Sequence, residues 1–156
     1  MRTDPRRLGI AVVLLAAFDL GCGSALSGGG RPAPSPDGPH GGVAVALPGD
    51  AGFGEVVIEP APGGSKKGQV LVVAYFYAAD LKTAIANPPA RVEVSLAMPG
   101  AEPARLALTP QRAAKAKSDV PRFASPAGPY QLDSISGELT VDLGGQSTTL
   151  PFASGR

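Results

Sequence analysis

Several residue types that commonly carry chemistry are scarce in this 156-residue chain. It contains one cysteine, one histidine and no tryptophan, and aromatic residues make up only 5% of it. A single cysteine excludes an internal disulfide, and a zinc or blue-copper site needs several nitrogen or sulfur ligands, which one histidine cannot supply alone. The apolar run at residues 8–18 would rise only about 16 Å as a helix, about half of the hydrocarbon thickness of a bilayer, so we do not expect it to span a membrane.

The chain also lacks a surplus of charge of either sign. Its 14 Lys and Arg residues oppose 13 Asp and Glu residues. Three of the basic and two of the acidic residues lie in residues 1–21, so the rest of the chain carries 11 of each. A domain without surplus positive charge has no electrostatic basis for binding nucleic acid. We therefore expect no nucleic-acid partner.

Residues 1–21 have the organisation of a secretory signal peptide. Arg2, Arg6 and Arg7 give a positive start, an uncharged and mostly aliphatic stretch follows at residues 8–18, and small residues surround Cys22. A charged start, a short apolar core and a small-residue exit are the three parts of an export signal. The pattern predicts a protein of the cell envelope.

Cys22 resembles the acceptor cysteine of bacterial lipoproteins, whose signals end in a Leu-small-Gly-Cys box. Gly21 matches the position before the cysteine, whereas Asp19 and Leu20 depart from the pattern. The resemblance implies that Cys22 is diacylated and anchors the protein in a membrane, and Gly23 after it, rather than Asp, favours the outer membrane. Cleavage by an ordinary signal peptidase after Ala25 is the alternative, and it would release a soluble protein without Cys22.

Residues 22–41 are predicted to be a lipid-anchored tether. Nearly every position in this segment is Gly, Pro, Ser, Ala or charged. Such a composition cannot bury enough apolar surface to offset the entropy lost on ordering. We therefore place the folded domain at residues 42–156, with its first strand at Val43.

From residue 42 onward, short alternating apolar segments bounded by Gly and Pro predict strands. Leu106 and Leu108 mark one short strand, which Pro110 is expected to end. Two stretches, 79–86 and 111–117, are interpreted as connections between strands with room for one helical turn, because both are shorter than an isolated helix needs. The other predicted strands lie at 43–47, 56–58, 69–78 and 91–98.

The C-terminal segment predicts a β-hairpin with a defined register. Apolar residues alternate before and after Gly144-Gly145, a pair typical of two-residue turns. Such a turn pairs residue 143 with 146, 141 with 148 and 139 with 150, which places all the apolar residues on one face. Together the segments predict an all-β fold, an antiparallel immunoglobulin-like sandwich of seven or eight short strands.

His40 and an aromatic strand are the candidate functional features. Ser35 and Asp37 stand close to His40 in sequence, but neighbouring residues do not imitate a catalytic triad assembled across a fold. His40 is therefore interpreted either as a polar residue at the start of the domain or as a metal ligand helped by Met98 or a second copy. Tyr75 and Tyr77 lie on one face of an apolar strand and form either a loop-covered surface or an exposed surface for an envelope protein partner.

The order of the quoted segments resembles a group of small, mostly uncharacterised bacterial lipoproteins. PHGGVAVALPGDAGFGEVVIE (39–59), VLVVAYFYAADLKTAI, VPRFAS and the final hairpin carry the resemblance, and the HGG opening is similar to the N-terminal domain of some heavy-metal efflux adaptors. In that group a Tyr-His pair often precedes the acidic residue of the second strand. Phe53-Gly54 precede Glu55 here, so the second histidine is absent.

These observations predict a non-enzymatic, lipid-anchored binding or accessory module without a cofactor, facing the periplasm or the cell exterior. The alternative is a copper- or zinc-handling accessory protein related to efflux systems, with His40 on the metal. An envelope hydrolase is disfavoured, because no His, Cys or carboxylate constellation for hydrolysis is evident in the sequence.

Overall fold

The computed structural model of the chain describes residues 35–62, 68–111, 119–130 and 134–154. The predicted signal peptide, Cys22 and the predicted tether up to residue 34 lie outside the described residues. What is described contains one 3₁₀ turn, Pro48–Asp50. It also contains eight strands: β1 Val43–Ala46, β2 Phe53–Pro60, β3 Val70–Tyr77, β4 Arg91–Leu96, β5 Ala104–Gln111, β6 Arg122–Ala124, β7 Ser136–Leu143 and β8 Gln146–Ala153.

The strands form one antiparallel sheet in the order β1-β2-β3-β6-β5-β4-β7-β8. β5 joins the two halves of this sheet, because it pairs with β4 through Ala104–Leu108 and with β6 through Thr109–Gln111. The predicted all-β, antiparallel architecture with eight strands is confirmed. The two layers are continuous through β5, so the fold is nearly barrel-like.

The main core lies between the two halves of the sheet. Phe76 of β3 contacts Phe123 of β6 edge-to-face, with ring centroids 5.5 Å apart. A side chain at Gly54 of β2 would run into Leu139 of β7, so these strands approach closely across the core. Burying one such large apolar side chain stabilises a fold by about 1.5–3 kcal/mol. The fully buried members of this core include Val56, Val72, Phe76, Val92, Val94, Leu96, Leu139, Val141 and Phe152.

The C-terminal hairpin has the predicted register. Leu143 pairs with Gln146, and Leu139 pairs with Leu150. Gly144 and Gly145 have φ angles of 60° and 82°, the left-handed values that a type I′ turn requires at both central positions. Leu139 is fully buried, as the alternation predicts.

The folded domain begins before Val43, in residues that the sequence analysis assigned to the tether. Ser35 N–H donates to the carbonyl of Ala153 at the end of β8 over 3.0 Å, and Ala44 N–H donates to Pro36 over 2.8 Å. These bonds place residues 35–37 beside β1 and the end of β8, the two edges of the sheet. Backbone hydrogen bonds supply here the contacts that a Gly- and Pro-rich composition did not predict.

The end of β5 and the connection at 79–86 also differ from the predictions. Pro110 does not end β5, which continues to Gln111. A proline is tolerated at this point because β5 has only β6 as a neighbour there, so a backbone N–H is not needed on the other side. The predicted connection at 79–86 contains turns and bends but no helical turn, and 112–118 lies outside the described residues. Within the described ranges, no helix has the length and apolar character needed to cross a membrane.

Candidate functional site

The outer face of β2 and β3 carries both acidic and aromatic side chains. Alternation directs Val56 and Phe76 into the main core, so Glu55 and Glu59 of β2 lie on the outer face. Tyr75 and Tyr77 of β3 share this face, and Glu55 pairs directly with Tyr75 in the register. A second apolar cluster continues along the face and includes Val57, Val73 and Ala124.

Residues 38–42, here called the His40 loop, lie over this face. Gly41 has a φ of +76°, which a side chain disfavours, and a Cβ at Gly42 would overlap the carbonyl oxygen of Val56. A Cβ at Gly38 would overlap the side chain of Glu55. The glycines of this segment therefore allow the loop to turn and to pack directly against β2.

Glu55 is the buried centre of the site, with none of its surface exposed. Its Oε1 accepts hydrogen bonds from the backbone N–H groups of His40, at 2.7 Å, and Gly42, at 3.0 Å. Its Oε2 lies 3.0 Å from Nδ1 of His40 and accepts from the Tyr77 hydroxyl at 3.3 Å. Four groups thus surround a carboxylate that would otherwise be costly to bury, and hydrogen bonds to a charged group each contribute about 1.5–3 kcal/mol.

The contact with Glu55 favours one tautomer of His40. A carboxylate only accepts hydrogen bonds, so an unprotonated Nδ1 would direct its lone pair at Glu55 Oε2. We therefore expect the proton on Nδ1, and the Tyr77 oxygen, 2.7 Å from the same nitrogen, is a second polar neighbour. The neutral ring then carries its free lone pair on Nε2. The side chain is 41% exposed, and Nε2 has no hydrogen-bond partner within the described part of the chain.

The ring of Tyr75 packs against the imidazole of His40, and the Tyr75 hydroxyl belongs to a second polar network. The rings of His40 and Tyr75 are stacked, with centroids 4.0 Å apart and an interplanar angle of 12°. The Tyr75 hydroxyl donates to Glu59 at 2.6 Å and accepts from Nε of Arg122 at 3.2 Å. Arg122 also donates to Glu59 at 2.8 Å. The ring on which His40 lies is therefore held by an ion pair between β2 and β6.

The pKa values of the neighbouring groups reflect these contacts. Burial raises the pKa of the Tyr77 hydroxyl, and the charge of Glu55 raises it further. Burial and the hydrogen bond to Glu59 likewise raise the pKa of Tyr75. Burial alone would raise the pKa of Glu59, but hydrogen bonds from Tyr75 and Arg122 outweigh it, so the pKa is lowered. Both phenols therefore stay protonated at neutral pH while Glu59 stays ionised.

The structure joins some of the residues singled out in the sequence and separates others. His40, Tyr75 and Tyr77 form one cluster, in which Tyr77 is only 2% exposed and Tyr75 is partly buried. In the described residues the imidazole makes its side-chain hydrogen bonds with Glu55 and Tyr77 and none with Ser35 or Asp37.

Met98 does not belong to this cluster. Met98 packs against the main core, whereas the cluster lies on the outer face of the sheet. Cys22 lies outside the described residues. Across those residues, no group of three or more His, Cys, Asp or Glu side chains is placed to hold a metal ion. His40 is therefore a single, oriented nitrogen ligand with one buried carboxylate behind it.

Sequence reasoning did not assign a role to Glu55 or Glu59. Glu55 lies on the outer face of β2, where a solvated carboxylate is the ordinary expectation. The contact that buries it comes from a loop 13 to 15 residues earlier. The only available signal was the quoted order of an HGG segment followed by an acidic residue in the second strand.

Comparisons with family models, with curated proteins and with solved structures find no match for this chain. The resemblance to small lipoproteins and to efflux adaptors therefore stays a prediction.

Proposed function

We propose that the protein is a lipid-anchored, non-enzymatic binding or accessory module of the cell envelope, which uses the outer face of β2 and β3. The observation that supports this best is the orientation of His40. Its Nδ1 lies 3.0 Å from Glu55 Oε2 and its ring stacks on Tyr75, while the side chain stays 41% exposed and Nε2 has no hydrogen-bond partner among the described residues. An imidazole fixed on an antiparallel scaffold is suited to recognition, because little freedom is lost on binding.

A binding role fits the cluster better than catalysis does. An imidazole next to a carboxylate can act as a general base, but covalent catalysis also requires a nucleophile within hydrogen-bond reach. The hydroxyl beside His40 belongs to Tyr77, which is buried and whose raised pKa keeps it protonated. A protonated, buried phenol is a poor nucleophile.

The anchor part of the proposal depends on Cys22. Each buried methylene of an attached acyl chain contributes about 0.8 kcal/mol to membrane binding, so two or three chains hold a protein firmly. The outer membrane is the favoured location, with the domain in the periplasm or at the cell exterior. The predicted tether would separate the domain from the membrane surface.

Mass spectrometry of the membrane-bound protein tests this anchor directly. We expect a mature chain that starts at Cys22 and carries acyl groups, and a Cys22→Ser variant that is no longer acylated or retained in membranes. Ser24→Ala is the matched control and should leave both properties unchanged. A mature chain that starts after Ala25 and carries no acyl mass would contradict the anchor.

A pull-down from native membranes tests the binding role. The wild-type chain should enrich a specific envelope protein, and His40→Ala should reduce that enrichment. Equal recovery with wild type and His40→Ala would contradict a role for this face.

Metal handling is the second candidate, and one observation favours it. A histidine that donates its other N–H to a carboxylate is the usual arrangement of metal-bound imidazoles. Nδ1 of His40 lies 3.0 Å from Glu55 Oε2, and with the expected tautomer it would donate its N–H to this carboxylate. A copper or zinc ion on Nε2 would take its remaining ligands from a partner or a second copy, because the described residues contain no cluster of three or more His, Cys, Asp or Glu side chains that could hold it.

Titration of the purified full chain with copper or zinc separates the two candidates. Binding of one equivalent that is lost in His40→Ala and retained in Glu59→Gln would support metal handling. Absence of binding at micromolar metal would leave the protein-binding role as the better explanation.

A further inference from the structure

We propose that a polar cleft on the outer face of β4, β7 and β8 binds a small zwitterion with a primary ammonium group, such as a basic amino acid. The cleft has a volume of about 230 Å³ and is lined by Arg91, Glu93, Thr140, Asp142 and Ser147. It belongs to the half of the sheet that does not carry the His40 cluster. The inference therefore goes beyond the proposed function and depends on a separate set of residues.

The strand register brings the lining side chains together on one face. Arg91 of β4 pairs with Asp142 of β7, and Asp142 pairs with Ser147 of β8. Glu93 and Thr140 form the next pair of β4 and β7 on the same face. The residues between them in sequence are buried in the main core, so these five side chains lie on the outer side of the sheet.

The charged groups of the cleft do not neutralise one another. Opposite charges that face each other across paired strands ordinarily attract, yet no ion pair joins Arg91 to Asp142 or Glu93 within the described residues. Oδ1 of Asp142 is shielded from solvent and has no hydrogen-bond partner in the part of the chain that the structure describes. A buried acceptor without a donor is destabilising. The Asp142 carboxylate therefore has acceptor capacity that no described group uses.

The charges of the cleft select the chemical class of the ligand. Glu93 and Asp142 contribute two negative charges and Arg91 one positive charge, so the formal net charge is −1. A primary ammonium has three donors for the two carboxylates, while a carboxylate on the same ligand matches the guanidinium in bidentate geometry. The second positive charge of a basic amino acid would balance the remaining negative charge.

The composition and size of the cleft disfavour other ligands. The guanidinium of Arg91 would repel a divalent cation, and the described ranges contain no group of three or more His, Cys, Asp or Glu side chains placed to hold one. A volume of about 230 Å³ corresponds to about eight waters at roughly 30 Å³ each in the liquid. This is the size of a single amino acid, not of a peptide or an oligosaccharide.

An NMR titration of the ¹⁵N-labelled full chain with L-lysine tests the cleft. We expect saturable shifts of the amide resonances of the five lining residues, with a dissociation constant of about 1 mM or below. Acetate and methylammonium, which each carry only one of the two charged groups, should bind at least about tenfold more weakly. The amides of the His40 loop should not shift. Absence of saturable shifts up to about 10 mM L-lysine, or equal affinity for acetate or methylammonium, would overturn the proposal.

Substitutions distinguish the cleft from a general effect of surface charge. Asp142→Asn and Glu93→Gln each remove one carboxylate charge, and each should weaken the binding of L-lysine about tenfold or more. The matched control is Glu138→Gln, which changes an exposed acidic residue of β7 outside the cleft and should keep the wild-type affinity. If Asp142→Asn does not fold, Glu93→Gln alone decides the question.

Wild-type affinity in Glu93→Gln, or equal weakening in Glu138→Gln, would overturn the proposal. Neither the titration nor the variants involve His40 or Cys22. The zwitterion site and the proposed function therefore fail independently.

Discussion

The hydroxyl of Tyr77 gives the sharpest test of the buried network. Tyr77→Phe removes the 2.7 Å contact with Nδ1 of His40 and the 3.3 Å bond to Glu55, while the ring keeps its packing. Glu55 still accepts from His40 and Gly42, so the substitution leaves no unpaired charge. A hydrogen bond to a charged group contributes about 1.5–3 kcal/mol, and the longer bond lies at the weak end of this range. We therefore expect the free energy of unfolding to fall by about 1–2 kcal/mol.

Urea denaturation at neutral pH measures this loss, with Tyr75→Phe as the matched control. Tyr75 also loses its hydroxyl bonds in that control, but it is partly exposed, and Glu59 keeps its ion pair with Arg122. The control should therefore lose less than about 1 kcal/mol. The slope of unfolding free energy against urea should be the same for all three proteins. A loss in Tyr77→Phe equal to or smaller than that in Tyr75→Phe would refute the reasoning.

Alkaline pH provides a second readout of the same substitution. The pKa of Tyr77 is raised above its ordinary value of 10.0, so its contribution to stability is complete below pH 10 and is lost as pH rises towards the folded-state pKa. The wild-type free energy of unfolding should therefore fall above pH 10, with Tyr77 contributing up to about 1.4 kcal/mol per pH unit. Tyr77→Phe should show a shallower decline. Identical slopes in the two proteins would show that Tyr77 is not buried against Glu55.

Three further predictions address the surroundings of the site. The pKa of Glu59 is lowered from 4.5, so its contribution to the free energy of unfolding is present above that pH and is lost as the pH falls below it. In thermal unfolding, Glu59→Gln should therefore lose less stability than the wild type between neutral and acidic pH, by a difference of less than about 1 kcal/mol. In urea denaturation, Gly42→Ala should destabilise the domain by about 2 kcal/mol or more, because the added Cβ overlaps the backbone of Val56. Gly100→Ala is the control: nothing lies near its added Cβ, so it should lose only the roughly 1 kcal/mol that a positive φ costs. Phe76→Ala should destabilise the main core by about 3–5 kcal/mol in the same assay, and a loss below about 1 kcal/mol would show that Phe76 is not packed as described.

The parts of the fold that the sequence predicts are those governed by local rules. The Gly144-Gly145 turn fixes the register of β7 and β8, and alternation then assigns every side chain to a face. β6 was not predicted by alternation, because three residues are too few to show a period. The continuation of β5 through Pro110 depends on which neighbour β5 has at that point, and this is a property of the whole sheet.

The candidate site was only partly predictable for a similar reason. His40 could be singled out because it is the only histidine, and Tyr75 and Tyr77 because they interrupt an aliphatic strand. These side chains come together around Glu55 because the His40 loop folds back over β2. The spacing of residues in the sequence does not predict this contact. The low-complexity composition of residues 22–41 predicted a tether, yet the backbone N–H of His40 in this segment donates a hydrogen bond to a buried carboxylate. Composition indicates how much apolar side-chain surface a segment can bury, but it does not indicate which hydrogen bonds the backbone of that segment makes.

The tautomer of His40 tests the central claim most directly, and the chain offers a simple measurement because it contains no other histidine. Long-range ¹H–¹⁵N NMR spectra of the full chain distinguish a protonated Nδ1 from a protonated Nε2 in the neutral ring. We expect the proton on Nδ1, and we expect the tautomer that dominates in free peptides, with the proton on Nε2, to return in Glu55→Gln. A wild-type ring that carries its proton on Nε2 would contradict the hydrogen bond to Glu55, and with it the free Nε2 lone pair on which the proposed function depends.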